Sequence, residues 1–294
     1  RGYMNNFSIH PDTTVGPVAL TVADLQRSEQ FYTAMLGLRV RDRTASHLTL
    51  TADSATPLIL LTEVAGARPR PPRTTGLYHF AILVPSRLEL ARSLRRLAEM
   101  RYPLTGASDH LVSEALYLDD PDGNGIEIYR DRPRQEWPFR NGQLQMAVDP
   151  LDVDGILAEL EHDTRPWEGI ARETTLGHMH LHVADLRAAE AFYCSVLGFD
   201  LVVRYGPSAL FISAGGYHHH IGLNIWAGVG APPPPADAAG LRYFVVQLPN
   251  QDALGDVIQR VQAAQLSFET TPAGICLHDP SSNQVVLAVQ PQHS

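Results

Sequence analysis

Histidine and glutamate side chains that could bind a metal ion stand on predicted strands near the middle of the chain. His178, His180 and His182 alternate with apolar residues in the segment GHMHLHV. Because successive side chains of a strand point to opposite faces, these three imidazoles share one face. His79 lies in a second predicted strand, and Glu127 stands between two isoleucines in a third. A carboxylate inside an apolar strand needs a partner, and imidazole and carboxylate groups are common ligands of transition metals.

The elements that carry these residues repeat along the chain. Val22 to Gly37 and Val183 to Gly198 share nine identities in sixteen positions, at a constant offset of 161. In both copies an alternating strand precedes an aspartate that can cap a helix, and a glycine follows where the helix ends. Short β-type runs follow each glycine, so the repeating unit is predicted to be βαβββ.

Two weaker copies of this unit begin at GLYHFAILVP and GLRYFVVQLP. The chain is therefore predicted to contain four modules, at residues 14–65, 76–132, 175–228 and 239–290. Modules one and two make up an N-terminal half, residues 1–132, and modules three and four make up a C-terminal half, residues 175–294. Residues 133–174 form a linker between them, in which Asp152 to Glu161 is predicted to be a helix.

The chain resembles the vicinal oxygen chelate superfamily, which includes glyoxalase I, bleomycin-resistance proteins and extradiol ring-cleaving dioxygenases. The resemblance rests on the VADL…FY…LG signature, which occurs twice, and on DPDGNGIE, which closes the second module. The longer stretch from Ser108 to Pro133, SDHLVSEALYLDDPDGNGIEIYRDRP, is similar to the tandem catechol 2,3-dioxygenase-like branch. The resemblance implies an α+β fold in which four βαβββ modules pair into two cupped mixed β-sheets with helices outside. It also implies a divalent metal ion inside a cup.

Two of the four modules carry candidate ligands. His79 in module two and His178 in module three occupy corresponding positions of the first strand, and Glu127 lies in the last strand of module two. The corresponding positions of modules one and four carry no useful metal ligand: Pro17, Ala19, Thr21, Tyr243 and Val286. We therefore expect modules two and three to share a cup that collects all three ligands, and modules one and four to share a cup with none. This pairing departs from extradiol enzymes whose active cup lies within the C-terminal half.

The three predicted ligands also indicate which metal would bind. Two histidines and one carboxylate with open positions form the facial arrangement of non-haem Fe(II) oxygenases. Fe(II) is therefore the favoured cofactor, Mn(II) prefers similar ligands, and O2 is the expected co-substrate. Zn or Ni would instead suit a glyoxalase-like isomerase.

Further residues are candidates for the chemistry. The order His110, Tyr117, DPDGN and Glu127 resembles the extradiol pattern, which implies that His110 is an acid/base and Tyr117 a hydrogen-bond donor near the substrate oxygen. In the last strand of module three, YHHHIGLNIW, His220 and Asn224 share a face. If the alternate apolar residues pack against helices, both side chains look into the cup, where His220 could deprotonate a diol.

We interpret the chain as a non-haem Fe(II) extradiol-type dioxygenase of a catechol or hydroquinone-like aromatic. A metal-dependent glyoxalase- or epimerase-type isomerase is the first alternative. Such an isomerase usually has an acidic ligand in the last strand of module three, where HIGLN has none. A non-catalytic, drug-binding protein is the second alternative, but it needs neither the three ligands nor the histidine and tyrosine pair.

Charge and composition argue against other classes of function. With 32 acidic against 23 basic residues, the formal charge of −9 opposes binding to nucleic acid or to a membrane surface. No apolar run reaches the roughly 18 to 20 residues of a membrane span. The start of the chain has no secretory core and the two cysteines show no pairing pattern, so we expect a cytoplasmic protein. A small aromatic is the expected partner, and a homo-oligomer is compatible with the sequence.

Overall fold

The computed structural model describes residues 7–291, in which strands and helices follow the βαβββ order. The first half contains β1 (Thr14–Val22), α1 (Leu25–Gln30), β2 (Arg39–Arg43), β3 (His47–Thr51), β4 (Pro57–Glu63), β5 (Gly76–Leu83), α2 (Arg87–Glu99), β6 (Gly106–Asp109), β7 (Ser113–Asp119) and β8 (Gly125–Asp131). The linker contains β9 (Phe139–Arg140), β10 (Gln143–Leu144) and α3 (Val153–Ala158). The second half contains β11 (Thr175–His182), α4 (Leu186–Glu190), β12 (Asp200–Tyr205), β13 (Ala209–Ser213), β14 (Ile221–Asn224), β15 (Gly240–Leu248), α5 (Gln251–Ala263), β16 (Glu269–Thr271), β17 (Gly274–His278) and β18 (Gln284–Val289).

Three shorter turns complete the elements. A π-helical turn follows α1 at Phe31–Met35, a second follows α4 at Ala191–Val196, and a 3-10 turn spans Arg134–Glu136. Within residues 7–291, none of the helices is long and apolar enough to cross a membrane.

The strands form two eight-stranded sheets, and each sheet takes one module from each half of the chain. Modules two and three form the sheet with strand order β12-β13-β14-β11-β5-β8-β7-β6. Modules one and four form the sheet with strand order β16-β17-β18-β15-β1-β4-β3-β2. The first strands of paired modules lie antiparallel at the centre, β5 beside β11 and β1 beside β15. The predicted α+β class, the two mixed sheets and the pairing of module two with module three are confirmed.

Alternation along the central strands separates two kinds of face. Phe80 and Ile82 of β5, with Met179 and Leu181 of β11, are at most 1% exposed and belong to an apolar core that extends over both sheets. The residues between them point to the opposite, inner face. On the sheet of modules one and four, this inner face is packed with apolar side chains: Tyr243, Val245, Cys276, Val286 and Ala288.

The repeated VADL segment begins a helix in both copies. The carboxylates of Asp24 and Asp185 each accept, at 2.9 Å, the backbone N–H of the residue three positions further on. Gly37 and Gly198 follow the helical segments with φ angles of 77° and 92°. Glycine adopts this left-handed backbone without the steric penalty of a side chain. The predicted start and end of the repeated helix are thus explained by capping.

The tyrosine of each FY pair anchors the turn before the last strand of the following module. Tyr32 donates to Asp120 at 2.9 Å, and Tyr193 donates to Asp279 at 3.0 Å. Each carboxylate also accepts two backbone N–H groups of its own turn. These buried contacts join module one to module two and module three to module four. They give the DPDGN turn a structural role.

We expect Tyr32→Phe to lower the free energy of unfolding by about 1.5–3 kcal/mol, because it removes a buried hydrogen bond to a charged group. Chemical denaturation followed by circular dichroism measures the change. Tyr205→Phe is the control, because that side chain is 45% exposed, and we expect it to change stability by less than about 0.5 kcal/mol. A Tyr32→Phe protein as stable as the wild type would contradict the anchoring role.

Contacts with module two hold part of the linker in place. The predicted linker helix starts where expected, with Asp152 accepting the N–H of Gly155 at 3.0 Å, but α3 is shorter than predicted. Arg87, at the start of α2, donates to the carbonyl of Gly155 at 2.9 Å. Further back, Asp109 of β6 pairs with Asp149 of the linker in an antiparallel bridge. The segment just before Asp149 is therefore held beside the inner face.

Candidate active site

The candidate ligands surround the small residue Ala81. Ala81 of β5 is in register with His178 of β11 on one side and with Glu127 of β8 on the other. Residues in register on neighbouring strands point to the same face, so His178 and Glu127 share the inner face. His79 lies two positions before Ala81 and joins them there. Because the side chain of Ala81 is a single methyl group, it leaves space for the three longer side chains.

The ligand atoms of these three residues converge. Oε2 of Glu127 lies 3.0 Å from Nε2 of His79 and 3.0 Å from Nε2 of His178. Among residues 7–291, this is the one group of three histidine, cysteine, aspartate or glutamate side chains whose ligand atoms all lie within 4.8 Å of one another. Two ligand atoms about 2.1 Å from one ion and at right angles to each other are about 3 Å apart. The two separations therefore fit a shared metal ion.

Buried imidazole nitrogens at this site lack hydrogen bonds, and one of them is a converging ligand atom. Nε2 of His79 has no hydrogen-bond partner in the described structure, although Oε2 of Glu127 is 3.0 Å away, because the imidazole is not oriented toward that oxygen for such a bond. A buried polar atom without a partner is costly. A metal ion placed between the two side chains would satisfy it.

The protonation states also suit a metal site. Burial opposes ionisation of Glu127, but the charge and the hydrogen bond of His178, together with the charge of His79, outweigh it and hold the pKa of this carboxyl well below its ordinary value. Burial lowers the pKa of His178 to about 4, against the attraction of Glu127. Near neutral pH the site therefore offers a carboxylate and a neutral imidazole at these two positions, the forms that bind metals.

A cavity of about 630 Å³ opens beside the ligands. Aromatic side chains from both modules line it: Tyr78, Tyr205, Phe211 and Trp226. The linker closes one side with Met146, Ala147 and Val148. The linker was predicted as a connection between the halves, and its contribution to the cavity becomes visible only in the folded chain.

His110 and Tyr117 lie together at this cavity. Nδ1 of His110 is 2.7 Å from the carbonyl oxygen of Ala147, which can only accept, so Nδ1 carries a proton. In the neutral imidazole Nε2 is then an acceptor, and Tyr117 donates its hydroxyl to it at 2.6 Å. Burial, and then the charge of Glu127, raise the pKa of Tyr117 well above its ordinary value. The phenol therefore keeps its proton and can donate it.

The histidine run before β14 differs from its expected arrangement. β14 begins at Ile221, and residues 218–220 form an irregular bend to which strand alternation does not apply. His219 lines the cavity, and its ring centroid lies 4.0 Å from that of His178. His220 instead accepts the N–H of Ala214 through Nδ1 at 3.1 Å. The expectation that His220 looks into the cup is corrected in favour of His219.

Asn224 lies on the inner face but away from the cavity. It is in register with His182, which places both side chains on the face of the β11 histidines. Its Oδ1 accepts from Nδ1 of His182 at 2.7 Å and from the N–H of Trp226 at 3.0 Å. Asn224 is absent from the lining of the cavity, so these bonds give it a structural place at the end of β14.

His180 is a cavity residue to which the sequence assigned no role. It is in register with His79 and lines the cavity, and its Nε2 is buried with no hydrogen-bond partner in the described structure. A Cβ atom at Gly222 would lie 2.9 Å from the His180 ring, so the glycine makes room for it. Alternation along β11 had placed His180 on the face of His178. That pattern does not show which of the imidazoles on one face reach a cavity.

Known sequences are similar to this chain over most of its length. Residues 14–128 and 175–277 match the sequence profile of the Glyoxalase/Bleomycin resistance protein/Dioxygenase superfamily. A curated relative from Bacillus subtilis (strain 168), described as a catechol-2,3-dioxygenase, is 49% identical over 285 residues. The match covers 96% of this chain and 99% of the relative.

Solved structures of low sequence identity share the fold. A presumed dioxygenase from Bacillus subtilis subsp. subtilis str. 168 is 17% identical and has a TM-score of 0.67, over 97% of this chain and 87% of its own. Glyoxalase I from Zea mays is 16% identical and has a TM-score of 0.55, over 94% of this chain and 92% of its own. At these identities the likeness shows the fold alone.

Proposed function

Because the chain belongs to the Glyoxalase/Bleomycin resistance protein/Dioxygenase superfamily, we propose that it is a metal-dependent ring-cleaving dioxygenase of catechol or hydroquinone-like aromatics. The family resemblance read from the VADL and DPDGN motifs is confirmed by this membership. The observation that carries the proposal is the convergence of His79, Glu127 and His178 beside a cavity with further histidines. The relative described as a catechol-2,3-dioxygenase supports it, because its similarity extends over nearly the whole chain.

His79, Glu127 and His178 would hold the metal ion. Two imidazoles and one carboxylate favour Fe(II), with Mn(II) as the alternative. When bound, the ion would supply open positions for a diol and O2 and a route for electrons between them. The three side chains are 6%, 2% and 1% exposed, so little water competes with a substrate, and charges act more strongly than in bulk solvent.

The cavity histidines would move protons. His219 takes the place that the sequence assigned to His220, as the acceptor of a diol proton. The hydroxyl of Tyr117 donates its proton in a hydrogen bond to His110 in the free protein. When a substrate is bound, this hydroxyl can rotate and donate to a substrate oxygen instead. His110, held by the carbonyl of Ala147, would then be free to exchange a proton with the substrate at Nε2. This assignment places a proton acceptor, His219, on module three, and a donor, Tyr117, beside a second acceptor, His110, on module two.

Anaerobic reconstitution with Fe(II), followed by catechol or methylhydroquinone and then O2, tests the proposed function. We expect O2 uptake together with loss of the diol and formation of a ring-opened product. A parallel assay with methylglyoxal and glutathione, using Zn- or Ni-loaded protein, tests the isomerase alternative, for which we expect no turnover. Protein that binds Fe(II) but consumes neither diol nor O2 across a panel of diols would refute the proposal.

The charge of the cavity lining predicts which diols are good substrates. Among the described residues that line the cavity, the acidic ones are Glu127 and Asp119, and there is no arginine or lysine. A substrate carboxylate would be buried there without a cation to pair with it. We therefore expect kcat/KM for 4-methylcatechol to exceed that for 3,4-dihydroxybenzoate by at least about tenfold.

A charge introduced at the rim tests this preference. Val148 lines the cavity and is 63% exposed, so Val148→Arg should raise kcat/KM for 3,4-dihydroxybenzoate selectively. Val229→Arg is the matched control, because Val229 is 77% exposed and lies outside the lining. Equal use of both diols by the wild-type protein, or the same gain in both variants, would contradict the prediction.

A further inference from the structure

A chain of hydrogen bonds leads from His219 to a carboxylate outside the cavity. Nδ1 of His219 is 2.8 Å from Nδ1 of His218, and Nε2 of His218 is 2.8 Å from Oδ1 of Asp131. His218 is fully buried, whereas the side chain of Asp131 is 26% exposed. Asp131 ends β8, four positions after the candidate ligand Glu127, so both modules of the sheet contribute to this chain.

A second branch ends on the same carboxylate. Tyr217 donates its hydroxyl to Oδ2 of Asp131 at 2.9 Å, and the hydroxyls of Tyr129 and Tyr217 are 2.7 Å apart. Because the proton of Tyr217 goes to Asp131, Tyr129 must donate to Tyr217. The carboxylate of Asp131 therefore accepts from both branches, and it has no proton to give.

The carboxylate determines the direction of every bond in the histidine branch. His218 must carry a proton on Nε2 in order to donate to Asp131, so in its neutral form Nδ1 of His218 is an acceptor. Nδ1 of His219 must then donate to it. A neutral His219 consequently has no proton on Nε2, and in the part of the chain that the structure describes no protein group bonds to that atom.

We propose that Asp131 and His218 are positioning residues that hold His219 with its unprotonated Nε2 available to the cavity, as the acceptor of a substrate hydroxyl proton. The inference rests on the proposed function for the identity of the proton that is accepted. The arrangement follows the general rule that a base is oriented and its tautomer selected by a third group that hydrogen-bonds to its other nitrogen. Without Asp131, His219 could equally present an N–H to the substrate, and it would then be unable to accept.

The tautomer of His219 can be measured without metal or substrate. In protein labelled with [15N]histidine, long-range proton–nitrogen correlation spectra distinguish protonated from unprotonated ring nitrogens, and the signal lost in His219→Gln identifies His219. We expect the wild-type protein to carry the proton on Nδ1. Asp131→Asn should shift the population of His219 toward the other tautomer. His218 and Tyr217 donate to different oxygens of Asp131, and in asparagine one of these two positions becomes an NH2 group, which donates instead of accepting.

Tyr217→Phe is the matched control for this measurement. It removes the other hydrogen bond to Asp131 but leaves the bond from His218, so His219 should keep its proton on Nδ1. A wild-type protein with the His219 proton on Nε2 would overturn the inference. An Asp131→Asn protein in which His219 keeps the wild-type tautomer would also overturn it. So would a Tyr217→Phe protein in which the tautomer of His219 changes as much as in Asp131→Asn.

Steady-state kinetics of the Fe(II)-loaded protein separate this inference from the proposed function. We expect Asp131→Asn to lower kcat by about tenfold or more while KM for the diol changes less than about twofold, because the diol still binds but its proton has a poorer acceptor. If the wild type turns over no diol and His219 still carries its proton on Nδ1, the proposed function is wrong and the positioning of His219 stands. If the wild type is active and Asp131→Asn matches it in kcat and tautomer, the positioning role is wrong and the function stands.

Discussion

Glu127→Ala is expected to bind Fe(II) at least about 100-fold more weakly than the wild-type protein, since even the loss of groups that only orient a ligand commonly costs 10- to 100-fold. The substitution removes the single anionic ligand and leaves the imidazoles of His79 and His178, neither of which supplies a negative charge. A buried dication is poorly stabilised without a negative partner. Metal content after anaerobic desalting, or titration calorimetry with Fe(II) and with Mn(II), measures the loss.

Val286→Ala is the matched control for this experiment. Glu127 is in register with Ala81 in the sheet of modules two and three, and Val286 is in register with Val245 at the equivalent place in the other sheet. The apolar surroundings of Val286 offer no ligand, so we expect Val286→Ala to retain the metal content of the wild type. Equal metal content in the two variants would show that the ion does not bind between modules two and three.

His219→Gln is expected to lower kcat for diol cleavage by about 100-fold, which is the usual contribution of a positioned acid or base. The glutamine fills similar space but has no basic ring nitrogen that can accept a proton. His219 is not one of the three converging ligands, so the variant should retain Fe(II). Turnover and metal content are measured on the same preparation, which separates a lost base from a lost ion.

His220→Gln provides the comparison, because the sequence pattern had pointed to His220. Nδ1 of His220 already accepts the N–H of Ala214 in the structure. We therefore expect kcat of the His220→Gln protein to stay within about threefold of the wild-type value. A side-chain oxygen of glutamine can accept the same N–H. If His220→Gln lost turnover and His219→Gln kept it, the assignment of His219 would be wrong.

The sequence, together with the family resemblance, was sufficient to predict the architecture and to propose His79, Glu127 and His178 as metal ligands. A repeat with an offset of 161 residues defined the βαβββ unit, and the strand alternation around His178 and Glu127 separated core faces from inner faces. The pairing of modules followed because ligands at equivalent strand positions occurred in modules two and three and were missing from modules one and four. These inferences succeeded because period-two alternation and helix capping are local properties of the chain.

The details that decide chemistry came from the tertiary structure. Residues 218–220 form a bend directly before β14, so the alternation of the strand does not extend to them. The bend brings His219 to the cavity and turns His220 toward Ala214. The cavity wall formed by the linker, the contact of His180 with the site and the approach of Asp131 to His218 join segments far apart in the chain. Such contacts depend on how the sheets and loops pack, and a pattern of neighbouring residues contains no information about them.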